Sequence, residues 1–235
     1  MRAEGILFDC DGVLVDSEPI TNGVLTAMLG ELGLGFTLEQ TMRTFMGKAL
    51  RDELAIIEAL LGRALPPDWY AGFVRRRDVA LAREVRAVPA VDDVLERLVR
   101  AGRPFAVASG ADRAKMRLTL GTSGLLAHFE SPTGAALAAP GHGVAPVPGS
   151  RLFGADMVER AKPAPDVYLL AARALGIPPA RCVVIEDTPT GTAAGVAAGA
   201  TVLGFCALTD PRGLLAAGAS AVFDDMRRLP ALLDL

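Results

Sequence analysis

The chain has 235 residues, 51% of them hydrophobic, which suits one large domain or a core domain with a smaller insert and is ample for a packed core. A formal net charge of −3 argues against a nucleic-acid or anionic-membrane surface, and no apolar run approaches the ~20 residues of a membrane span. Three scattered cysteines (Cys10, Cys182, Cys206) without CxxC spacing favour reduced thiols over a disulfide framework or a zinc site.

The first strand, predicted over 5–9, starts almost at Met1 and leaves no room for a signal peptide, so a cytoplasmic protein is expected. It lies in "GILFDCDGVLVDSE", residues 5–18, where an apolar run ends in Asp9 and Asp11 with Gly12 directly after them. On an extended strand, positions two apart share a face, roughly 6–7 Å apart. Two carboxylates at the mouth of an apolar strand need positive compensation, and hard oxygen ligands suit Mg²⁺. Gly12 permits a sharp turn that could aim a main-chain carbonyl at the ion.

Residues 19–85 read as all-helical. Pro19 fits a first helical position, followed by stripes at Ile20, Val24, Met28 and Leu32, at Leu50, Leu54, Ile57 and Leu61, and more loosely at Trp69, Phe73, Ala80 and Val85. An insert returning near Pro89 places a helical lid over the strand ends; the bland alternative is an extension packed on the edge. Lys48, Arg51, Arg75, Arg76 and Arg77 are its candidate contacts for an anionic or polar substrate, or else a solvated helix face.

Val91, Val94, Leu95, Leu98 and Val99 mark a helix face leading into a strand at 103–108, which ends in Ser109 and Gly110. A hydroxyl where a strand opens into a helix, here one containing Arg113 and Lys115, offers donors to an anion; an ordinary N-cap serine is the plainer option. His128 is expected to be structural or at the surface. Residues 131–150, rich in Gly, Pro, Ala and Ser and without charge, read as a flexible loop in which His142 is incidental.

A weaker strand at 152–154 precedes "AKPAPD", residues 161–166, whose prolines rigidify the approach of Lys162. The chain holds just three lysines, Lys48, Lys115 and Lys162, so each retained ammonium draws notice. Val167, Leu170, Ala171, Ala174 and Leu175 form a helix face stopped at Gly176 and Pro178. The strand at 182–185 then runs into Glu186, Asp187 and "TPTGTAAG", repeating the opening pattern of strand, acids and turn; further strands fall at 201–205 and 220–223. Near-continuous apolar strands alternating with helices specify an α/β fold with a parallel sheet covered on both faces, and ligands bind beyond the carboxyl ends of such strands.

"FDCDGVLVDSE", "ASG" at 108–110, "KPAPD" at 162–166 and "VIEDTPTG" at 184–191 resemble, in order and spacing, the four motifs of the haloacid dehalogenase superfamily. The insert resembles the helical cap of the subfamily containing β-phosphoglucomutase and small sugar-phosphate phosphatases. The similarity implies a Rossmann-like core at 1–18 and 86–235, a cap at 19–85 and a loop insertion at 131–150. It implies Asp9 as nucleophile and Asp11 as general acid and base that lends its carbonyl to Mg²⁺. Ser109, Gly110 and Lys162 would hold the phosphoryl group and Asp9, Asp11, Glu186 and Asp187 the metal; Lys48, Arg51 and Arg77 of the insert are, apart from the resemblance, the candidate contacts for the rest of the substrate. For Asp11 to carry a proton near neutrality, negative or apolar surroundings are expected.

The implied activity is Mg²⁺-dependent hydrolysis of a small phosphorylated metabolite, a sugar or sugar-acid phosphate, by a monomer or weak homodimer, with no nucleic-acid or membrane partner. The C-terminal half looks most like enzymes of the 6-phosphogluconate phosphatase type. Dehalogenation is disfavoured because Asp11 and Asp187 are both present. A β-phosphoglucomutase-type mutase is the alternative, but "SEPITN" lacks the histidine that its pattern carries there. A non-catalytic phospho-aspartate switch would lack both the insert and the second aspartate. Phosphate release is expected to outrun conversion of glucose 1-phosphate to glucose 6-phosphate in parallel assays; the reverse order would select the mutase.

Overall fold

The computed structural model describes residues 3–46, 48, 50–130 and 149–235, with residues 50 and 51 described through their backbone alone. The expected loop at 131–150, with His142, therefore lies outside the described residues as far as 148; Ser150 bridges to Glu130.

Strand β1 (Gly5–Phe8) is buried along its whole length. Its alternation assigns Ile6 and Phe8 to one hydrophobic cluster and Leu7 to another, one on each side of the sheet. The strand stops one residue earlier than predicted. Leu14 and Val15 both donate to the Cys10 carbonyl and Gly12 donates to that of Val15, so Asp9 and Asp11 sit on a tight turn, not on an extended strand.

Four helices follow: α1 (Glu18–Glu31), α2 (Leu38–Phe45), α3 (Leu50–Leu61) and α4 (Trp69–Glu84). They bury a cluster of their own, including Leu25, Leu29, Phe45, Ile57 and Phe73. Helix α2 lies within the stretch that reads as all-helical but carries none of the stripes named there; of its eight residues only Thr41 and Phe45 are buried, so its apolar stripe is too thin to read, although a Thr37–Gln40 capping box marks its start. On α4, Leu81 is buried with Phe73 while Ala80 is only half-buried. The chain returns beside its exit: Asp16 donates to the Arg86 carbonyl, Val88 donates to that of Leu14, and Val15 pairs with Ala87.

The rest alternates: α5 (Val91–Arg100), β2 (Phe105–Ala108), α6 (Arg113–Thr122), β3 (Leu152–Phe153), α7 (Asp166–Leu175), β4 (Cys182–Glu186), α8 (Pro189–Ala197), β5 (Thr201–Phe205), α9 (Pro211–Ala216), β6 (Ala221–Phe223) and α10 (Leu229–Leu232). On α5, Leu98 is buried while Val99 is 56% exposed, one position being about 100° around the helix. The six strands are parallel in the order β3-β2-β1-β4-β5-β6, with Phe8 opposite Val107 on one side and Ile185 on the other. The strand order reverses direction at β1, and the crevice beyond the carboxyl ends of β1, β2 and β4 is where such a sheet binds ligands. No described helix is long and apolar enough to cross a membrane.

Phe105 fixes β2 in place: its ring meets Phe8 and Phe129 edge-on at 6.4 and 5.4 Å, and Arg151 lies 4.5 Å over it. Phe105→Ala should cost about 3–5 kcal/mol in urea unfolding; a loss below about 1 kcal/mol would contradict this packing.

Candidate active site

Asp9 follows β1 directly, its amide anchored on the Ile185 carbonyl and its side chain buried. Lys162, in the loop before α7, donates from Nζ to Asp9 Oδ1 at 2.6 Å, to Glu186 Oε1 at 2.7 Å and to the Tyr168 hydroxyl at 2.8 Å. Burial is the largest influence on Asp9; with help from Glu186 and Asp11 and against Lys162, it lifts the carboxyl to about 7. Burial also opposes the Lys162 charge, but Asp9 and Glu186 hold it well above the usual lysine range.

Glu186, which closes β4, accepts from Lys162 and Tyr168 on Oε1, and from the Asp187 amide, the Thr188 amide and the Thr188 hydroxyl on Oε2. Both oxygens are thereby committed. Asp187 differs: its Oδ1 is buried with no hydrogen-bond partner among the described residues. Burial first, then Glu186 and Asp9, push its carboxyl well above the usual range. Gly12, at φ 75°, makes room for it, since a Cβ there would lie 2.0 Å from Asp187 Oδ2.

Asp11 faces elsewhere. It accepts from Lys115 Nζ at 2.8 Å and from the Ser17 hydroxyl at 2.5 Å. Burial would raise its pKa, but the Lys115 ammonium, reinforced by these hydrogen bonds, brings it below the ordinary carboxylate value. The expected negative or apolar surroundings are thus corrected: Lys115 reaches back from the first turn of α6 and supplies a cation.

Among the described residues, no three Asp, Glu, His or Cys side chains gather closely enough to cage a metal ion. The side chains of Asp11, Glu186 and Asp9 are engaged by other partners, Asp9 by Lys162, which leaves Asp187 as the buried carboxylate with an oxygen unpaired among the described residues. An orphaned Asp187 oxygen beside Asp9, both hard donors, fits a divalent cation.

A cavity of about 470 Å³ opens over these groups, walled by the strand ends and by the helical insert. Ser109, buried at the end of β2 with its hydroxyl accepting from the Ala111 amide, lines it together with Gly110. Lys48 and Arg77 also reach it, although Arg77 is held by Asp78 at 2.8 Å. The Arg51 side chain lies outside the described residues. Arg76 pairs with Glu31 instead. His128 contacts Asp92 at 2.8 Å, away from the cavity.

The sequence reading gave no site role to Glu18, Asn22, Glu53, Lys115 or Tyr168. Lys115 had a signal, being one of three lysines. Glu18 and Asn22, a turn apart on α1 and hydrogen-bonded at 3.0 Å, had none beyond proximity to the first motif.

A family model described as haloacid dehalogenase-like hydrolase matches residues 3–199. The chain is 32% identical to hexitol phosphatase A of Escherichia coli over 213 residues, covering 89% of this chain and 86% of that protein. It is 28% identical to the 6-phosphogluconate phosphatase of the same organism over 208 residues, covering 88% and 84%. Its fold matches a HAD family hydrolase from Deinococcus radiodurans R1, solved with bound phosphate and sodium, at a TM-score of 0.78 and 33% identity over 99% of this chain and 96% of that one.

Glu53 gives the cavity a pH signature. Burial, and then Glu18, push its carboxyl from 4.5 up to about 7. Between those values the folded protein holds the extra proton, so the contribution of Glu53 to stability falls as pH rises through that window. Glu53→Gln should therefore match wild type in thermal unfolding near pH 4 and exceed it at pH 8; a constant offset across pH would refute the shift.

Proposed function

The chain belongs to the haloacid dehalogenase-like hydrolases and is a phosphatase, and we propose that it hydrolyses a small sugar phosphate or sugar-acid phosphate through an aspartyl-phosphate on Asp9, with Mg²⁺ as cofactor. The observation that carries this reading is the buried Lys162 ammonium held 2.6 Å from Asp9 at the floor of the cavity, with Ser109 on its wall. A dianionic phosphate repels a carboxylate nucleophile, and an aimed cation offsets that repulsion.

Asp9 and Asp187, with the main-chain carbonyl of Asp11, would hold the metal. Bound there, it supplies charge neutralisation and orientation of the phosphoryl oxygens. Ser109 and Lys162 bind those oxygens while an Asp9 oxygen forms the new bond to phosphorus and the bond to the leaving oxygen breaks. Asp11 protonates the departing alkoxide, then takes a proton from the water that attacks the phosphoenzyme, freeing Asp9 and inorganic phosphate. Asp11 rests ionised against Lys115, ready as the base; to serve as the acid it first takes up a proton from solvent as the substrate displaces that partner. Glu186 anchors Lys162.

Residues 19–85 act as a cap over a core formed by 1–18 and 86–235, excluding water from the reacting groups. Lys48, Arg77, Glu18, Asn22 and Glu53 face the leaving-group end, and the named relatives support a hydroxylated substrate there. Free Cys10, Cys182 and Cys206 support a cytoplasmic setting; a monomer or weak homodimer completes the proposal.

Asp9→Asn should abolish phosphate release from p-nitrophenyl phosphate or a sugar phosphate, and Asp11→Asn should slow it while phosphoenzyme accumulates. Undiminished turnover in Asp9→Asn would overturn the nucleophile. EDTA should silence the wild-type enzyme and added Mg²⁺ restore it; activity indifferent to chelation would remove the metal from the mechanism.

A further inference from the structure

We propose that Tyr168 is a positioning residue whose buried hydroxyl and ring, together with Glu186, hold the Lys162 ammonium on Asp9. This rests on the reading of Lys162 and Asp9 given above. An ammonium has three N–H donors, and those of Lys162 meet three acceptors at 2.6–2.8 Å: Asp9, Glu186 and Tyr168. Its Nζ also lies 4.5 Å over the Tyr168 ring. All its donors are thus committed, and a phosphoryl oxygen gains a hydrogen bond only where one acceptor withdraws. Asp9 is the acceptor that changes, because its oxygen forms the bond to phosphorus. Tyr168 and Glu186 are the fixed pair.

The geometry gives that pair little freedom. Tyr168 is fully buried in the cluster that contains Leu7, Val184 and Ala194, so its ring is set by the core on that side of the sheet. Its hydroxyl accepts from Lys162 and donates to Glu186 Oε1 at 3.0 Å, closing a triangle. Glu186 is fixed in turn by Asp187 and Thr188, and it lies so close to Gly191 that a Cβ there would stand 1.6 Å from Oε1. It has no room to move toward Lys162 if the phenol is lost. The long Lys162 side chain would then carry an unmet donor in a dry site and tip away from Asp9.

The test is Tyr168→Phe, which keeps the ring and removes only the hydroxyl, assayed with p-nitrophenyl phosphate beside Asp9→Asn, Lys162→Met and the Lys162→Met/Tyr168→Phe double variant. A hydrogen bond to a charged group corresponds to roughly 10- to 100-fold in rate. We expect kcat to fall by about that factor, with KM within about threefold of wild type. In the Lys162→Met background, Tyr168→Phe should bring no further loss of kcat, because it acts through a group already absent. Wild-type kcat in Tyr168→Phe, additive losses in the double variant, or failure of Tyr168→Phe to fold would each overturn the proposal, the last by making the hydroxyl merely structural. Turnover surviving in Asp9→Asn would instead sink the nucleophile assignment on which it rests.

Discussion

Excess buried negative charge at the mouth of β1 and β4 is the constraint around which this site is arranged. Asp9, Glu186 and Asp187 are each less than a tenth exposed, and Asp11 lies beside them. Carboxylates so placed are tolerated only with compensation. Lys162 serves Asp9 and Glu186 at once, Lys115 serves Asp11, and main-chain amides saturate the rest of Glu186. Asp187 alone keeps a buried oxygen without a described partner. The shortfall falls where a divalent cation would correct it.

The two lysines divide the acids into groups with opposite tendencies. Asp9 is lifted to about 7 while Asp11, two residues away, is drawn below the ordinary value. The separation depends on the turn after Phe8, which aims Asp9 toward Lys162 and Asp11 toward α6. An extended strand would have pointed both the same way.

Much of this was legible in the chain. The strands β1, β2 and β4 announced themselves because each is buried along its length and reads as an apolar run, the acids and Ser109 fall at the ends of these runs, and Lys162 stands beside prolines in the loop before α7. What escaped has physical reasons. Helix α2 buries too few residues to leave a periodic trace. The surroundings of Asp11 depend on Lys115, 104 positions away, a meeting that local pattern cannot convey. The same holds for Tyr168, which looks like any aromatic in an apolar helix until its hydroxyl is seen between Lys162 and Glu186. Nor could the partners of Glu186 be read, since some of them are the main-chain amides of Asp187 and Thr188, which no residue letter reveals.

The segments entering and leaving the helical insert run side by side, tied by the amides of Asp16 and Val88 and by the pairing of Val15 with Ala87. A ribbon joined in this way resists stretching and separation but yields to torsion. Any rotation of the four helices about that axis would pivot next to the Cys10–Val15 turn, joined to the ribbon through Val15, and would carry with it Ser17, whose hydroxyl holds Asp11.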